Sequence, residues 1–425
     1  MNEKTETVRR LYVGDNLAVM RGLESESADL IYLDPPFNSK RIYDGNLDPE
    51  MGKQSFKDIW TMSDINKDDL WRLRAFAPKA FNLIETLYES HGESWKAYLT
   101  FMAVRLDEMH RLLKPAGSIY LHCDWRMNAP LRLLMDVIFG ADNFRNEIVW
   151  FYNDTPGRPK KDFARKHDTI LRYAGGGYVF NAADVQIPVL PESVARYKTV
   201  RKLGGREYVG GSATKTPESV WKFPAVKRNS RESTGWATQK PLALLERIIK
   251  ASSNKGDVVL DPFCGCATAC VAAERLGRRW IGIDQHPAVG AIMEKRIKKD
   301  TQLAPEWGGV KIIDARKTAN LPRRSGVREI DKTDPEVKRA FYDEQNGECK
   351  SSKWCLSGGG KINIRLLDYD RIDPGKRGGY YTPENVQLLC GACNSAKGAK
   401  TWTQFIGELK ERKARKIADD PDVPR

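Results

Sequence analysis

Residues 28–37 read ADLIYLDPPF, an apolar run that ends in an acidic, proline-rich tetrapeptide. The run predicts a buried β-strand, and the prolines predict that the strand stops there. Further strand signals follow in SIYLHCD (118–124), DVVLDPFCG (257–265) and RRWIGIDQ (278–285), with amphipathic helical segments between them. Strands that alternate with helices are typical of an α/β protein with a parallel, doubly wound sheet.

The tetrapeptide Asp34-Pro35-Pro36-Phe37 is the first candidate functional site. It follows a predicted strand, and open α/β sheets bind ligands at the carboxyl ends of their strands. Two prolines remove two N–H donors, so carbonyl oxygens and the Asp34 carboxylate dominate the local polarity. Such a loop accepts hydrogen bonds from an –NH2 group, and Phe37 offers a face for a planar ring. The alternative is a proline-rich turn without a function.

The chemistry of an aromatic amine explains why such a loop is useful. The amine is a poor nucleophile because its lone pair is delocalised into the ring. Two acceptors, the Asp34 carboxylate and the Pro35 carbonyl, draw its N–H bonds toward tetrahedral geometry and aim the lone pair at an electrophilic methyl group. Catalysis then depends on positioning and electrostatics. The loop therefore predicts methylation of a base amine, for which the base must first leave the duplex stack.

A second loop of small residues, DPFCGCAT at 261–268, also lies between a strand signal and a helix signal. Gly265 allows a tight turn with close approach of the backbone to a ligand, and Ala267 and Thr268 are small enough for the same purpose. The next predicted strand ends at Asp284, about 20 residues on, where an acidic side chain can bind ribose hydroxyls. The two loops and Asp284 together predict a nucleoside-binding α/β enzyme.

These motifs, in this order, resemble the β-group of amino DNA methyltransferases, the adenine-N6 and cytosine-N4 enzymes, in which the two halves of the domain are permuted. The resemblance covers about residues 8–300. It is also carried by Gly14-Asp15, LLKPAGSIYLHCD (112–124) and Thr238-Gln239-Lys240-Pro241. It implies a Rossmann-like methyltransferase sheet, S-adenosylmethionine (AdoMet) as the methyl donor and double-stranded DNA as the substrate.

The resemblance implies roles for the matched positions. The catalytic residues would be Asp34, Pro35, Pro36 and Phe37. The residues that bind the cofactor would be Asp15, Lys240, Pro241, Asp261, Phe263, Gly265, Thr268 and Asp284. Ala267 departs from the family's F-x-G-x-G loop, in which a second glycine is usual. We expect alanine to be tolerated there provided that its φ angle is negative.

The composition agrees with a nucleic-acid partner. The 425 residues carry 70 basic and 56 acidic side chains, a net charge of +14, and this excess favours a polyanion. The segments PGRPKKDFARKHD (156–168) and WKFPAVKRNSRE (221–232) interleave basic and aromatic residues. This pattern is typical of an insertion that reads DNA, and the alternative is a solvated insertion without that role. We predict five parts, namely a catalytic half (8–150), a target-recognition insertion (151–236), an AdoMet-binding half (237–300), a linker (301–335) and a small C-terminal domain (336–410).

Four cysteines cluster in the last predicted domain. They form two close pairs, Cys349 with Cys355 and Cys390 with Cys393, a pattern that suits a closed tetrahedral Zn2+ site. Because the N-terminal residues lack the apolar stretch of a secretory signal, we expect a metal site rather than disulfides. The four thiolates are therefore the predicted ligands of a structural zinc ion.

The residues around the second cysteine pair resemble zinc-bearing HNH nucleases, which implies a small ββα-type domain. The positions that carry the resemblance are Tyr369 to Pro374, Gly378-Gly379, Thr382 to Cys390, Cys393-Asn394 and Lys397-Gly398. That family normally has Asp-His-Ile where this chain has Asp370-Arg371-Ile372, and the last of the five histidines is His286. Arginine cannot act as a general base near neutral pH. We expect a degenerate domain that keeps its scaffold and DNA contact but has lost strand cleavage.

Several alternatives stay open. DPPF rather than SPPY resembles adenine-N6 enzymes and favours them over cytosine-N4 enzymes. A bifunctional methylase and nuclease, a DNA-binding protein without catalysis, and a methyltransferase for RNA or protein are the other candidates. A homodimer and a cognate restriction endonuclease are candidate partners. No apolar run reaches the roughly 18 to 20 residues of a membrane span, and the N-terminus is polar, so we expect a cytoplasmic protein.

Overall fold

The structure, a computed structural model, describes residues 9–45, 54–152, 159–189, 201–203, 206–208, 214–301, 310–317, 320–322, 324, 332–372 and 385–418. Within these ranges the strands are β1 (Arg9–Val13), β2 (Ala28–Leu33), β3 (Arg41–Gly45), β4 (Gln54–Asp58), β5 (Leu113–Cys123), β6 (Phe144–Phe151), β7 (His167–Ala174), β8 (Ile187–Pro188), β9 (Arg201–Leu203), β10 (Arg206–Tyr208), β11 (Thr214–Lys215), β12 (Val220–Lys222), β13 (Val258–Asp261), β14 (Arg279–Asp284), β15 (Lys311–Asp314), β16 (Leu367–Arg371) and β17 (Val386–Cys390). The α-helices are α1 (Asn16–Gly22), α2 (Lys67–Phe76), α3 (Pro78–His91), α4 (Glu93–Leu112), α5 (Asn128–Met135), α6 (Leu242–Ser252), α7 (Thr268–Arg275), α8 (Val289–Thr301), α9 (Pro335–Glu344), α10 (Gly391–Lys397) and α11 (Trp402–Ala418).

Nine of the described strands form one sheet, in the order β12-β6-β7-β5-β2-β13-β14-β1-β15. Neighbours run parallel except at β7, which is antiparallel to both β5 and β6. Every residue of β13, an interior strand of the sheet, is buried, as expected for a parallel strand that is covered on both faces. The predicted α/β sheet is confirmed. It is mixed rather than wholly parallel because β7 runs in the opposite direction, which the prediction did not include.

Helices cover both faces of this sheet and enclose two separate apolar cores. Along β2, Ile31 and Leu33 belong to one core and Leu30 and Tyr32 to the other, because successive side chains of a strand point to opposite faces. The first core also takes in buried residues of α1, α4 and α5, and the second takes in those of α6, α7 and α8. None of the described helices combines the length and the apolar character that a membrane span requires.

Two predicted segments contribute strands to the sheet. The predicted insertion (151–236) supplies β7, which lies between β5 and β6, and the edge strand β12. The predicted linker (301–335) supplies β15, which pairs with β1 at the opposite edge. Strands of three or four residues, such as β12 and β15, are too short to show a clear period of apolar residues. The division of the chain at these bounds stays a prediction.

The predicted C-terminal domain has its own small core. β16 and β17 form an antiparallel pair, and α10 follows β17 directly, which gives the predicted ββα arrangement. Leu367, Leu388 and Phe405 are buried between the strand pair and α11. Among the nuclease-like positions, Asp373-Pro374, Gly378-Gly379 and 382–384 lie outside the described residues.

Candidate active site

The carboxyl ends of four neighbouring strands surround one cavity of about 620 Å3. The sheet places β2 beside β13, β13 beside β14 and β14 beside β1, so the loops after these strands meet at one edge. A cavity of this size lies in the range that holds a cofactor or a small substrate. Loops that are more than 200 residues apart in the sequence, at Asp34 and at Asp261, therefore line the same cavity.

Most residues predicted for catalysis and cofactor binding line this cavity. They are Asp34, Pro35, Pro36, Phe37, Lys240, Asp261, Phe263, Gly265, Thr268 and Asp284. Asp15 and Pro241 are not among the lining residues, whereas Gly14 and Asn16, on either side of Asp15, are. Lining residues that no motif points to include Tyr32, Asp58, Trp60, Trp236 and His286.

The two carboxylate oxygens of Asp34 differ in their contacts. Oδ2 accepts a hydrogen bond from Nζ of Lys240, which also lies 5.6 Å from the centre of the Phe37 ring. Oδ1 is buried and has no hydrogen-bond partner among the described residues. A buried acceptor without a donor costs free energy, and a donor on a substrate removes that cost. The site thus offers a hydrogen-bond acceptor to an N–H group.

The loop after Asp34 is held by the carboxylate of Asp58, a residue that is 1% exposed. Asp58 accepts hydrogen bonds from the backbone N–H groups of Phe37 (3.1 Å), Asn38 (2.8 Å) and Ser39 (2.8 Å), and from Nε1 of Trp60 (3.1 Å). Four donors on one carboxylate fix the backbone that carries the Phe37 ring. A single aspartate at the end of a short strand forms no motif, so the sequence alone carried no signal for this role.

A buried histidine, His122 at the end of β5, stacks on Phe37 with 5.8 Å between ring centres. Its Nδ1 lies 3.1 Å from the Tyr32 hydroxyl, and its Nε2 lies 3.2 Å from Oδ2 of Asp168. Burial raises the pKa of Asp168, but the hydrogen bond and charge of His122, together with other neighbours, lower it by more. The net effect is a lowered pKa of the Asp168 carboxyl group. The neighbouring residue Cys123 is fully buried, and burial raises the pKa of its thiol. Cys123 therefore packs in the core and is not placed to act as a nucleophile.

Asp284 joins the loops after β13 and β14. It accepts hydrogen bonds from the backbone N–H groups of Gly265 (2.9 Å) and His286 (2.8 Å). Burial raises the pKa of Asp284, and these two bonds oppose that rise. Gly265 has a φ of 51°, and a Cβ there would lie 3.0 Å from Nε1 of Trp236, so both the backbone conformation and the space favour glycine at this turn. The ribose contact of Asp284 stays a prediction.

Three predicted cofactor residues have structural partners within the chain. Asp261 is buried and accepts a hydrogen bond from the Phe263 N–H (3.1 Å), and burial raises its pKa well above the usual range. Asp15 caps the first turn of α1 and forms an ion pair with Arg105 at 2.9 Å. Pro241 immediately precedes α6. Asp15 and Pro241 thus lie next to lining residues of the cavity without lining it themselves.

The condition under which alanine was expected to be tolerated at position 267, a negative φ, is not met. Its φ is 64° and its ψ is 33°, which lies in the left-handed region immediately before α7. This conformation costs an L-residue roughly 1–2 kcal/mol. Ala267 is fully buried, and its N–H donates to the carbonyl of Cys264 at 2.6 Å. The position therefore has the backbone geometry of a glycine while it carries a methyl group.

Ala267→Gly is expected to change the free energy of unfolding by less than about 1 kcal/mol. Relief of the left-handed strain favours glycine by roughly 1–2 kcal/mol, and loss of one buried methyl group costs about 0.8 kcal/mol. Ala267→Val should destabilise the protein by more than about 2 kcal/mol, because a β-branched residue is strained at a positive φ and the site is full. Urea unfolding measures both. Equal stability of the glycine and valine variants would contradict the assigned backbone conformation.

The four clustered thiols are placed as a tetrahedral metal site requires. The Sγ atoms of Cys349, Cys355, Cys390 and Cys393 all lie within 4.8 Å of one another. Backbone N–H groups of Leu356 and Cys390 donate to Sγ of Cys393 (3.2 Å) and Cys349 (3.3 Å). Burial raises the pKa of Cys390, but hydrogen bonds, the largest from Ser357, outweigh it and lower the pKa to about 7. This donor set fits Zn2+.

A buried ion pair stands beside the position where nucleases carry their histidine. Nζ of Lys397, 1% exposed, donates to Oδ1 of Asp370 (3.1 Å) and to the backbone carbonyl of Arg371 (2.7 Å). The other carboxylate oxygen of Asp370 accepts from Gln387 (2.8 Å). Asp370 is therefore used to join β16, β17 and α10, which indicates a structural role.

The fold and the cavity define a Rossmann-like methyltransferase. A family model described as DNA methylase matches residues 28–295, and the chain belongs to this family of adenine-N6 and cytosine-N4 DNA methyltransferases, which use AdoMet. An HNH endonuclease model matches residues 355–400, so a C-terminal HNH domain follows the methyltransferase domain. The predicted resemblance to both families is confirmed.

Curated relatives cover most of the chain. The chain is 30% identical over 320 residues to the DNA adenine methyltransferase YhdJ of Escherichia coli K12. The aligned region covers 75% of this chain and 92% of that protein. The chain is 27% identical over 310 residues to the type II methyltransferase M.HpaI of Haemophilus parainfluenzae, with 72% and 78% covered. Among solved structures, the cytosine-N4-specific PvuII DNA methyltransferase is similar at a TM-score of 0.44 and 16% sequence identity. The match covers 73% of this chain and 96% of that one, and the similarity is too low to carry an argument.

Proposed function

We propose that this DNA methyltransferase transfers the methyl group of AdoMet to N6 of adenine in double-stranded DNA, after the base has left the stack. The observation that carries the proposal is the buried, unpartnered Oδ1 of Asp34, beside an Oδ2 that is held by Lys240. An amine N–H is the donor that this oxygen lacks. The sequence Asp34 to Phe37 and the adenine specificity in the name of the relative YhdJ support adenine over cytosine.

In the proposed mechanism, Asp34 Oδ1 and the Pro35 carbonyl accept the two N–H bonds of the amine. Phe37 stacks on the base, and His122 supports the opposite face of the Phe37 ring. When bound, AdoMet supplies an electrophilic methyl group and a neutral thioether leaving group. The Asp34 carboxylate would accept the proton that the amine nitrogen gives up when its lone pair takes the methyl group in place of the sulfur. Positioning of the amine supplies most of the acceleration.

The residues that we propose for the cofactor lie along the same cavity. Phe263, Gly265, Thr268 and Asp284 form its wall after β13 and β14, and Lys240 reaches it from the residues before α6. Gly14 and Asn16, rather than the side chain of Asp15, line it at the end of β1. A cavity of about 620 Å3 lies in the range of sites that hold a cofactor-sized ligand.

Sequencing that reports modified bases, applied to DNA from cells that express the protein, tests the proposed base and atom together. We expect N6-methyladenine at one short recurrent motif and none in cells with the empty vector. Mass spectrometry of the hydrolysed DNA separates N6-methyladenine from N4-methylcytosine. Methylcytosine alone would overturn the choice of adenine, and no methylated base would overturn the proposed function.

Asp58→Asn is expected to lower kcat about tenfold to a hundredfold, with a smaller effect on the Kd for AdoMet. An amide presents one acceptor oxygen to four donors, so the loop that carries Phe37 loses its fixed position, and small misplacements are costly. Transfer of tritiated methyl to DNA and calorimetry measure the two quantities. Asp142→Asn, at an exposed aspartate far along the chain from this loop, is the matched control. An unchanged kcat in Asp58→Asn would contradict the assignment.

We further propose that the HNH domain holds a structural zinc ion and contacts DNA without cutting it. Arg371 replaces the expected histidine, and Asp370 is occupied by Lys397 and Gln387. Purified protein with Mg2+ or Mn2+ should leave supercoiled plasmid DNA intact. Metal-dependent nicking that disappears in Asn394→Ala would instead establish a bifunctional enzyme. The predicted homodimer and the cognate endonuclease stay predictions.

A further inference from the structure

The most exposed of the large apolar side chains in the described part of the chain belongs to Phe163, which is 98% exposed. It lies in the segment PKKDFARK (159–166), which carries four basic residues and one acidic residue. We call this segment the basic loop. A phenylalanine in water contributes nothing to folding, whereas a partner that covers it gains the burial of its apolar surface. Its charge favours a polyanionic partner.

The basic loop is anchored to the catalytic site. The Tyr152 N–H donates to the Lys166 carbonyl at 2.9 Å, which brings the two sides of the connection between β6 and β7 together. The Tyr152 hydroxyl donates to Oδ1 of Asp168 at 3.2 Å. Oδ2 of Asp168 contacts His122, whose ring stacks on Phe37. The foot of the loop is therefore linked through three side-chain contacts to the ring that we propose for the target base.

A second exposed aromatic ring lies beside this loop. Trp125 is 48% exposed, and the guanidinium groups of Arg165 and Arg126 lie 4.1 Å and 5.0 Å from its ring centre. Arginine stacked on an aromatic ring keeps its N–H groups available to phosphate oxygens. Exposed aromatic rings with positive charge around them are what a nucleic-acid surface requires. Trp125 follows the carboxyl end of β5, which is parallel to β2, so it lies at the same edge of the sheet as the loop that begins at Asp34.

We propose that Phe163 inserts into the DNA stack and fills the space that the target base leaves. Taking a base out of a duplex breaks its stacking and pairing, and an apolar side chain between base steps offsets part of this cost. The basic residues of the loop hold the phosphates on either side. Phe163 is thus a positioning residue, since it contacts neither the amine nor the cofactor. This inference rests on the proposed transfer to a flipped base.

The test uses the full-length protein and synthetic duplexes that contain the motif found by modified-base sequencing. One duplex has the target base paired, and a second has it opposite a mismatched base. Phe163→Ala is expected to lower kcat/KM at least tenfold on the paired duplex and less than threefold on the mismatched one, because a mismatched base costs less to extrude. Phe163→Trp should retain most activity on both.

Leu133→Ala, another exposed apolar residue (46%), is the matched control and should behave as the wild type on both duplexes. Wild-type rates for Phe163→Ala on the paired duplex would overturn the inference. An equal loss on the two duplexes would also overturn it, because it would indicate general binding or folding rather than base extrusion. Failure of the wild-type protein to methylate either duplex would overturn the proposed function itself, which separates the two outcomes.

Discussion

Asp34→Ala is expected to lower kcat for methyl transfer about a hundredfold to a thousandfold while the Kd for AdoMet changes little. The variant removes the acceptor Oδ1 that we assign to the amine and leaves Lys240 without its carboxylate. Loss of one preorganised electrostatic contact at a reacting centre has effects of this size. Tritiated methyl transfer to duplex DNA at saturating AdoMet measures kcat, and calorimetry measures AdoMet binding.

The matched control for this experiment is Asp142→Ala, an exposed aspartate on the turn after α5. It should retain the wild-type kcat and stability. Transfer by Asp34→Ala at the wild-type rate would refute the catalytic assignment. Loss of AdoMet binding together with transfer would show that Asp34 shapes the cavity instead of holding the amine.

Cys393→Ser is expected to abolish stoichiometric zinc and to unfold the C-terminal domain. Metal binding to such sites contributes on the order of 10 kcal/mol of folding free energy, which exceeds the stability of a small domain. Cys393 is fully buried, and its sulfur accepts a hydrogen bond from the Leu356 N–H. A serine oxygen cannot keep both this hydrogen bond and the bond to zinc at the distances that sulfur sets. Elemental analysis should find about one zinc per wild-type chain, and limited proteolysis should cleave the variant after residue 335.

Cys270→Ala is the matched control, since Cys270 is also a buried cysteine but lies in α7, away from the cluster. Its zinc content should equal that of the wild type. A chelator should reproduce the proteolysis pattern of Cys393→Ser in the wild-type protein. Full zinc content in Cys393→Ser, or a wild-type chain without zinc that resists proteolysis, would contradict the metal site.

Patterns of neighbouring residues were enough to predict the fold class and much of the candidate site. An apolar run that ends in Asp34-Pro35-Pro36-Phe37 predicts both a buried strand and its end, because apolar spacing and proline act locally. The four cysteines were found in the same way, because two close pairs are visible in the sequence. Motifs of this kind need no knowledge of which strands are neighbours.

Other features depend on contacts between distant segments, and only the tertiary structure decided them. Asp58 holds the loop after Asp34 from β4, His122 stacks on Phe37 from β5, and Lys240 meets Asp34 across 206 positions of the chain. The backbone at Ala267 is left-handed although its side chain favours the opposite sign of φ. The reversal of β7 likewise follows from its pairing with β5 and β6. A sequence pattern records the preference of each residue, whereas these features follow from packing, which overrides such preferences by a few kcal/mol.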